Sequence, residues 1–208
     1  MKKINENIST LIKAIYAGIM IGIGGIVYLM SKNSIIGATL FGIGLFTICV
    51  YKMNLYTGMV GYILENKINY VFKLLITLIG NFIGTFLTAI LIINTRLSDI
   101  IIKAKNISLI KINDSYLCIL ILSFFCGILM YLAVNNYKKS EDVIKKYLSI
   151  FLSVIVFILC GFEHCIANMF YFSVAEVWSL KSFFSIIIMI IGNSLGAIFI
   201  SIYDNKIK

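Results

Sequence analysis

The sequence predicts an all-α integral membrane protein, with six transmembrane helices, two of them broken, arranged as inverted three-helix repeats. Three observations carry that prediction. The 208-residue chain is 61% hydrophobic and only 13% charged, with a mean hydropathy of +1.01, too apolar to cover a soluble domain of this size. Its uncharged runs reach the length of a membrane crossing. A glycine–asparagine pattern occurs twice, each time behind a hydrophobic segment that is interrupted.

The elements follow in order. Runs 14–31, 74–95, 115–137 and 182–203 carry no charge, and a bilayer core needs about 20 apolar residues per helix. The first follows Lys2, Lys3 and Lys13. It is long enough to span and lacks a small-x-small cleavage site, so it reads as a helix rather than a signal peptide. Run 33–51 is followed by 53–64, and run 147–162 by 165–175. Each pair is too long for one ordinary span, and each second piece too short to cross alone, so both read as broken crossings. Residues 96–114 read as a loop, and no soluble domain is expected. The expectation is a single transmembrane domain over 1–208, with repeats near 10–95 and 115–203.

Orientation follows from the basic residues flanking the spans. With the N-terminus inside, Lys2, Lys3, Lys13, Lys67, Lys73, Lys138, Lys139, Lys145, Lys146, Lys206 and Lys208 lie inside, against Lys32, Arg96, Lys103, Lys105, Lys111 and Lys181 outside. The bias puts both termini in the cytoplasm. The net charge of +9 therefore reads as a topology signal with attraction to anionic lipid, not as a nucleic-acid footprint.

The repeat is written in "LIGNFIGTF" (78–86) and "IIGNSLGAI" (190–198), which place Asn81 and Asn193 alike. Taken alone, Gly80-x-x-x-Gly84 and Gly192-x-x-x-Gly196 are helix-packing faces. Joined to the paired interrupted segments, they point to two units of three crossings each. An odd number of crossings inverts the second unit, and paired broken segments point to a midplane transport site. Broken backbone survives at that depth only in protein or beside a polar path, so "NLYTG" (54–58) should face "GFEHC" (161–165). Gly58 and Gly161 would supply the backbone freedom in a chain without proline. His164, the sole histidine, and Thr57 would meet near the centre.

A lone core histidine is usually structural, and Thr57 alone reads as a helix cap. At a helix break beside Glu163, however, an ionisable group inside the membrane favours a pore role. Glu163 reads as an anchor for the broken backbone or for Lys111 rather than a substrate contact. The five cysteines all lie in apolar runs and read as buried small hydrophobes. Cys160, His164 and Cys165 match no zinc spacing. No metal, cofactor or catalytic residue is expected, and one histidine in the order Glu-His excludes the familiar intramembrane metalloenzyme motif.

The stretches "GFEHCIANMF", "NLYTG", "IGNFIG" and "IGNSLG" closely resemble the formate/nitrite transporter family over nearly the whole chain. The resemblance implies an aquaporin-like fold with a pore in each subunit and five subunits in a ring. It implies that His164 is the central pore histidine and Thr57 the facing threonine. Leu55 and Leu45 would form the cytoplasmic constriction, and Phe41 and Phe157 the outer one. Lys111 would supply positive charge near the outer path, with Glu163 and Asn168 in its polar network.

There are departures. Gly127 stands where the family usually has an asparagine, which would thin the lysine network. The proline common after the Asn-Met-Phe stretch is absent, with Ser173 nearby. The N-terminus is short, which would remove much of the family's gating segment.

The implied function is passage of small monovalent anions of weak acids (formate, nitrite or hydrosulfide), coupled or not to protons through His164. The implied partners are the anion, protons, membrane lipid and further copies of the chain. The competing reading is a non-conducting structural or regulatory membrane protein with a polar core.

Overall fold

The computed structural model describes residues 5–206. Helix α1 spans Glu6–Met30, and the Asn5 side chain caps it by accepting from the Asn7 N–H at 2.9 Å. Asn33 likewise caps α2, Ser34–Val50. After a break, α3 (Tyr56–Met59) runs into a 3-10 helix, Val60–Glu65. Helix α4 is Asn69–Ile93 and α5 Ile100–Asn113. Helix α6, Tyr116–Lys139, starts at a Ser115 cap, and α7, Val143–Leu159, at an Asp142 cap. A second break leads to α8, Cys165–Val174, and the chain closes with α9, Leu180–Lys206. Among the described residues four helices, α1, α4, α6 and α9, are long and apolar enough to cross a membrane.

One turn builds both breaks. At the end of α2, Lys52 donates to the Cys49 carbonyl (3.3 Å) and Met53 to that of Ile48 (2.9 Å). At the end of α7, Gly161 donates to Ile158 (3.2 Å) and Phe162 to Phe157 (2.9 Å). This six-residue closure needs a left-handed residue just past the helix, and Lys52 (φ 53°) and Gly161 (φ 67°) occupy it. The expectation for Gly58 is therefore corrected. Gly58 lies within α3, where a Cβ would come within 2.9 Å of Val134 Cγ2. Its small size permits close packing; Lys52 carries the backbone strain.

Left-handed backbone costs a residue with a Cβ about 1–2 kcal/mol. Among the described residues nothing lies within 4 Å of a Cβ placed at Gly161, so Gly161→Ala should lose about that much with no steric contribution. Lys52→Gly should gain part of it, offset by glycine's larger unfolded-state entropy. Unfolding midpoints in detergent that move in the same direction for both variants would contradict this account.

The helices pair in a doubled pattern. α1 packs on α4 and α2; α6 packs on α9 and α7. The halves join through α2 on α7, α4 on α8, α1 on α8 and the 3-10 helix on α9. Glycine explains the closeness of the two main pairs. A Cβ at Gly18 would overlap the Asn81 carbonyl oxygen, and one at Gly127 would overlap that of Asn193. The outer faces are apolar, with Ile79 57%, Leu91 70%, Leu117 66% and Phe199 60% exposed. The polar side chains Asn81, Asn193, Glu163 and His164 are buried. That is the distribution of a protein whose solvent is lipid.

Residues 96–114 are not simply a loop. Within them α5 turns Ile100, Ala104, Ser108 and Ile112 inward, a stripe at i, i+4, i+8 and i+12. The cysteines also divide. Cys126 and Cys165 are buried and Cys49 and Cys118 partly so, but Cys160 is exposed at the second break, against the expectation of burial.

Candidate functional site

Two asparagines hold the two breaks in the same way. Asn81 Nδ2 donates to the carbonyls of Ala14 (2.8 Å) and Asn54 (2.9 Å), while its Oδ1 accepts from the Tyr56 N–H (2.9 Å). Asn193 Nδ2 donates to Ser123 (2.8 Å) and Glu163 (2.7 Å), and its Oδ1 accepts from Cys165 (2.9 Å). Each thus satisfies a carbonyl before the restarting helix and an N–H just inside it, groups that lipid would leave unpaired. The residues between those anchors are Leu55 and His164. They are equivalent positions, each the cap residue of its half-helix.

The caps differ in chemistry. Leu55 offers no side-chain bond, whereas His164 Nδ1 accepts from the Ala167 N–H at 3.1 Å. An Nδ1 that accepts carries no hydrogen, so the neutral ring holds its proton on Nε2. Nε2 lies 2.9 Å from Thr57 Oγ1, so it donates there, and the threonine's own hydrogen is left to turn elsewhere. This bond joins the two halves of the chain at a point where both side chains are almost fully buried, Thr57 1% and His164 2% exposed.

Aromatic and aliphatic groups surround the pair. The Phe157 ring stacks on the imidazole with centroids 5.6 Å apart, and Phe41 meets Phe157 edge-on at 5.7 Å. Phe41, Leu45 and Leu55 are all buried. Leu55 lines a cavity of about 640 Å³ on the side where α1 begins. His164 and Phe157 line one of about 100 Å³ on the side where α1 ends, together with Lys111 and Asn168. The histidine and its leucine counterpart thus border cavities on opposite sides.

Behind the histidine, Lys111 Nζ sits 2.7 Å from Glu163 Oε2, with side chains 13% and 2% exposed. Asn168 Nδ2 donates to the same oxygen at 2.6 Å. Gly127 leaves this pair intact, since lysine and carboxylate meet directly. What Gly127 does is let α6 lie against the backbone of α9 at Asn193.

Some contacts were not read from the sequence. Tyr28 and Tyr171 line the smaller cavity, and Tyr56 Oη bonds Ser194 Oγ at 2.9 Å. Lys103 Nζ donates to the carbonyls of Tyr28 (3.1 Å) and Ser31 (2.7 Å) at the end of α1. A lysine at a helix C-terminus is a known cap, but no spacing links positions 28 and 103.

The doubled, pinned helix breaks and the apolar exterior define a multi-pass membrane protein of the transport class. The sequence profile named Formate/nitrite transporter matches residues 1–203, and the chain belongs to that family, whose members are channels and transporters rather than enzymes. It is 27% identical over 203 residues to a formate-nitrite transporter of Plasmodium malariae, covering 82% of this chain and 65% of that one. It is also 27% identical over 189 residues to the uncharacterized transporter YrhG of Bacillus subtilis, covering 83% and 71%. The chain thus spans about two thirds of the length of these relatives. Two solved structures share the fold. An FNT family ion channel superposes with a TM-score of 0.80 at 20% identity, covering 94% of this chain and 88% of that one. A pentameric formate channel with formate bound gives 0.80 at 24% identity, covering 95% and 96%.

Proposed function

We propose that the chain is a channel for small monovalent anions of weak acids: formate, nitrite or hydrosulfide. The observation that carries this reading is the buried His164–Thr57 pair, set between cavities on opposite sides and flanked by apolar groups. Moving a bare anion into such a slot costs several kcal/mol, and a neutral weak acid avoids most of that. Apolar constrictions at Phe41 and Phe157, and at Leu45 and Leu55, therefore reject hydrated ions, while the central hydroxyl and imidazole offer hydrogen bonds to a small acid. Lys111, beside the smaller cavity, attracts the anion electrostatically.

In this reading the chain crosses the cell membrane six times, as inverted repeats over residues 10–95 and 115–203 of one channel domain with an aquaporin-like plan. Both termini are cytoplasmic. Proton coupling belongs to the same proposal. The ring already carries one proton on Nε2, and a second at Nδ1 displaces the Ala167 N–H. Charging His164 is thus tied to uncapping α8.

Liposomes holding the purified protein should take up formate, nitrite or hydrosulfide far faster than sulfate or phosphate in stopped-flow swelling. Rates no higher than in empty liposomes for all three would leave the non-conducting alternative standing. The solved formate channel that shares this fold is pentameric, and we assign the same assembly here. A monomeric mass in native mass spectrometry would refute it.

A further inference from the structure

We propose that the cavity on the side where α1 begins is a binding site for a nucleotide-sized polyphosphate anion, which blocks passage from that side. The proposal rests on the reading of the chain as a channel. The cavity measures about 640 Å³, within the range of about 300–1,000 Å³ typical of sites for drug-sized ligands. A three-atom anion needs only a small part of that. The space across the histidine is about 100 Å³, so the excess belongs to one side.

The lining gives the ligand its chemistry. Lys52, Lys73, Lys138 and Lys146 reach the cavity from the first break, α4, α6 and α7, and among the described residues no Asp or Glu lines it. Among the described residues Lys73 pairs only with Glu6, at 3.9 Å, and that carboxylate is 85% exposed, a pairing of little strength. Lys138 rests over the Tyr62 ring at 4.2 Å and Lys146 over Tyr137 at 6.0 Å. Among the described residues neither has a carboxylate within ion-pair distance. Glu65, nearby in the chain fold, accepts from Asn205 at 2.6 Å. Four ammonium groups line one hollow, and among the described residues the one carboxylate within ion-pair distance of any of them is the exposed Glu6. That excess of positive charge suits a multiply charged anion, and lysine is a point-charge partner for phosphate.

Other lining residues set the size and the consequence. Tyr70 and Tyr137 add aromatic rings to the wall, and the Tyr70 hydroxyl is held by the Met59 carbonyl at 3.0 Å. These rings give a base a surface to lie on. Leu55 borders the cavity and is only 2% exposed, so an anion larger than the path can enter but not cross. It plugs.

The test measures formate-driven swelling of phosphatidylcholine liposomes with magnesium-free ATP, tripolyphosphate or AMP on both sides of the membrane. ATP and tripolyphosphate should slow the parent, and AMP should do so far less. Equal block by the first two assigns recognition to the phosphate chain; stronger block by ATP adds the base. A Lys138→Gln/Lys146→Gln variant, measured against its own unblocked flux, should need on the order of tenfold more blocker. Parent flux insensitive to both polyphosphates, or block undiminished in the double variant, overturns the proposal. Equilibrium dialysis of labelled ATP against the detergent-solubilised protein separates the two readings. If the parent passes none of formate, nitrite and hydrosulfide, the channel reading fails. Saturable ATP binding weakened in the double variant then still supports the site, and its absence overturns it.

Discussion

Replacing Lys111 by methionine is expected to cost about 3–5 kcal/mol of stability, the loss found when one member of a buried ion pair is removed. The reason lies in what remains. The Glu163 side chain is 2% exposed, and its Oε2 is held by Lys111 at 2.7 Å and Asn168 at 2.6 Å. Without the ammonium, a carboxylate at membrane depth keeps a single amide donor. The disturbance is not local, because the Glu163 carbonyl is one of the groups held by Asn193, and the next residue caps α8. A Lys111→Met/Glu163→Gln double variant should recover much of the loss, since it removes the orphaned charge along with its partner. Unfolding midpoints of the two singles and the double give the coupling directly. A Lys111→Met protein as stable as the parent would show that the pair contributes nothing.

The largest functional effects are expected at His164. His164→Asn keeps a hydrogen-bonding side chain at the break but removes the titratable ring, so flux should persist and its pH dependence should flatten. His164→Phe removes both the donor to Thr57 and the acceptor for Ala167, and should abolish the pH dependence as well. Thr57→Val deletes one hydroxyl, and should slow passage while leaving the pH profile in place. Folding and assembly need checking for each, because the cap alone is worth about 1 kcal/mol. A folded His164→Asn channel with the parent's pH profile would end the proton-relay role. The histidine would then be a bridge between half-helices only.

Much of this arrangement was legible because membrane depth makes polar residues rare. Asn81 and Asn193 stand out because the other polar side chains in the interior of their runs are Ser and Thr, and Glu163 and His164 because they are the ionisable pair between two uncharged runs. The interrupted runs exposed the two breaks for the same reason. The details of the breaks were less legible, since glycine signals two different needs. Gly161 takes a positive φ, Gly58 admits a neighbour, and the left-handed residue of the first break is a lysine, which nothing in the residue type announces. Helix α5 was missed because its lysines and asparagines give 96–114 the composition of a loop. Its four-residue stripe of Ile100, Ala104, Ser108 and Ile112 was the available signal. The tautomer of His164 depends on the Ala167 N–H three residues on, a matter of backbone geometry rather than sequence.

The asparagine pins bear on how the protein is made. Asn81 ties together Ala14, Asn54 and Tyr56, all of which leave the ribosome before or with it. The awkward backbone of the first break can therefore be satisfied before any later helix exists. Asn193 does the same for Ser123, Glu163 and Cys165. Each half carries its own fastening. The bond from Thr57 to His164 is different, for it needs both halves docked. On the channel reading proposed above, a nascent chain inserted only as far as α4 thus holds a finished break and no conduit, and so gives anions no route across while synthesis continues.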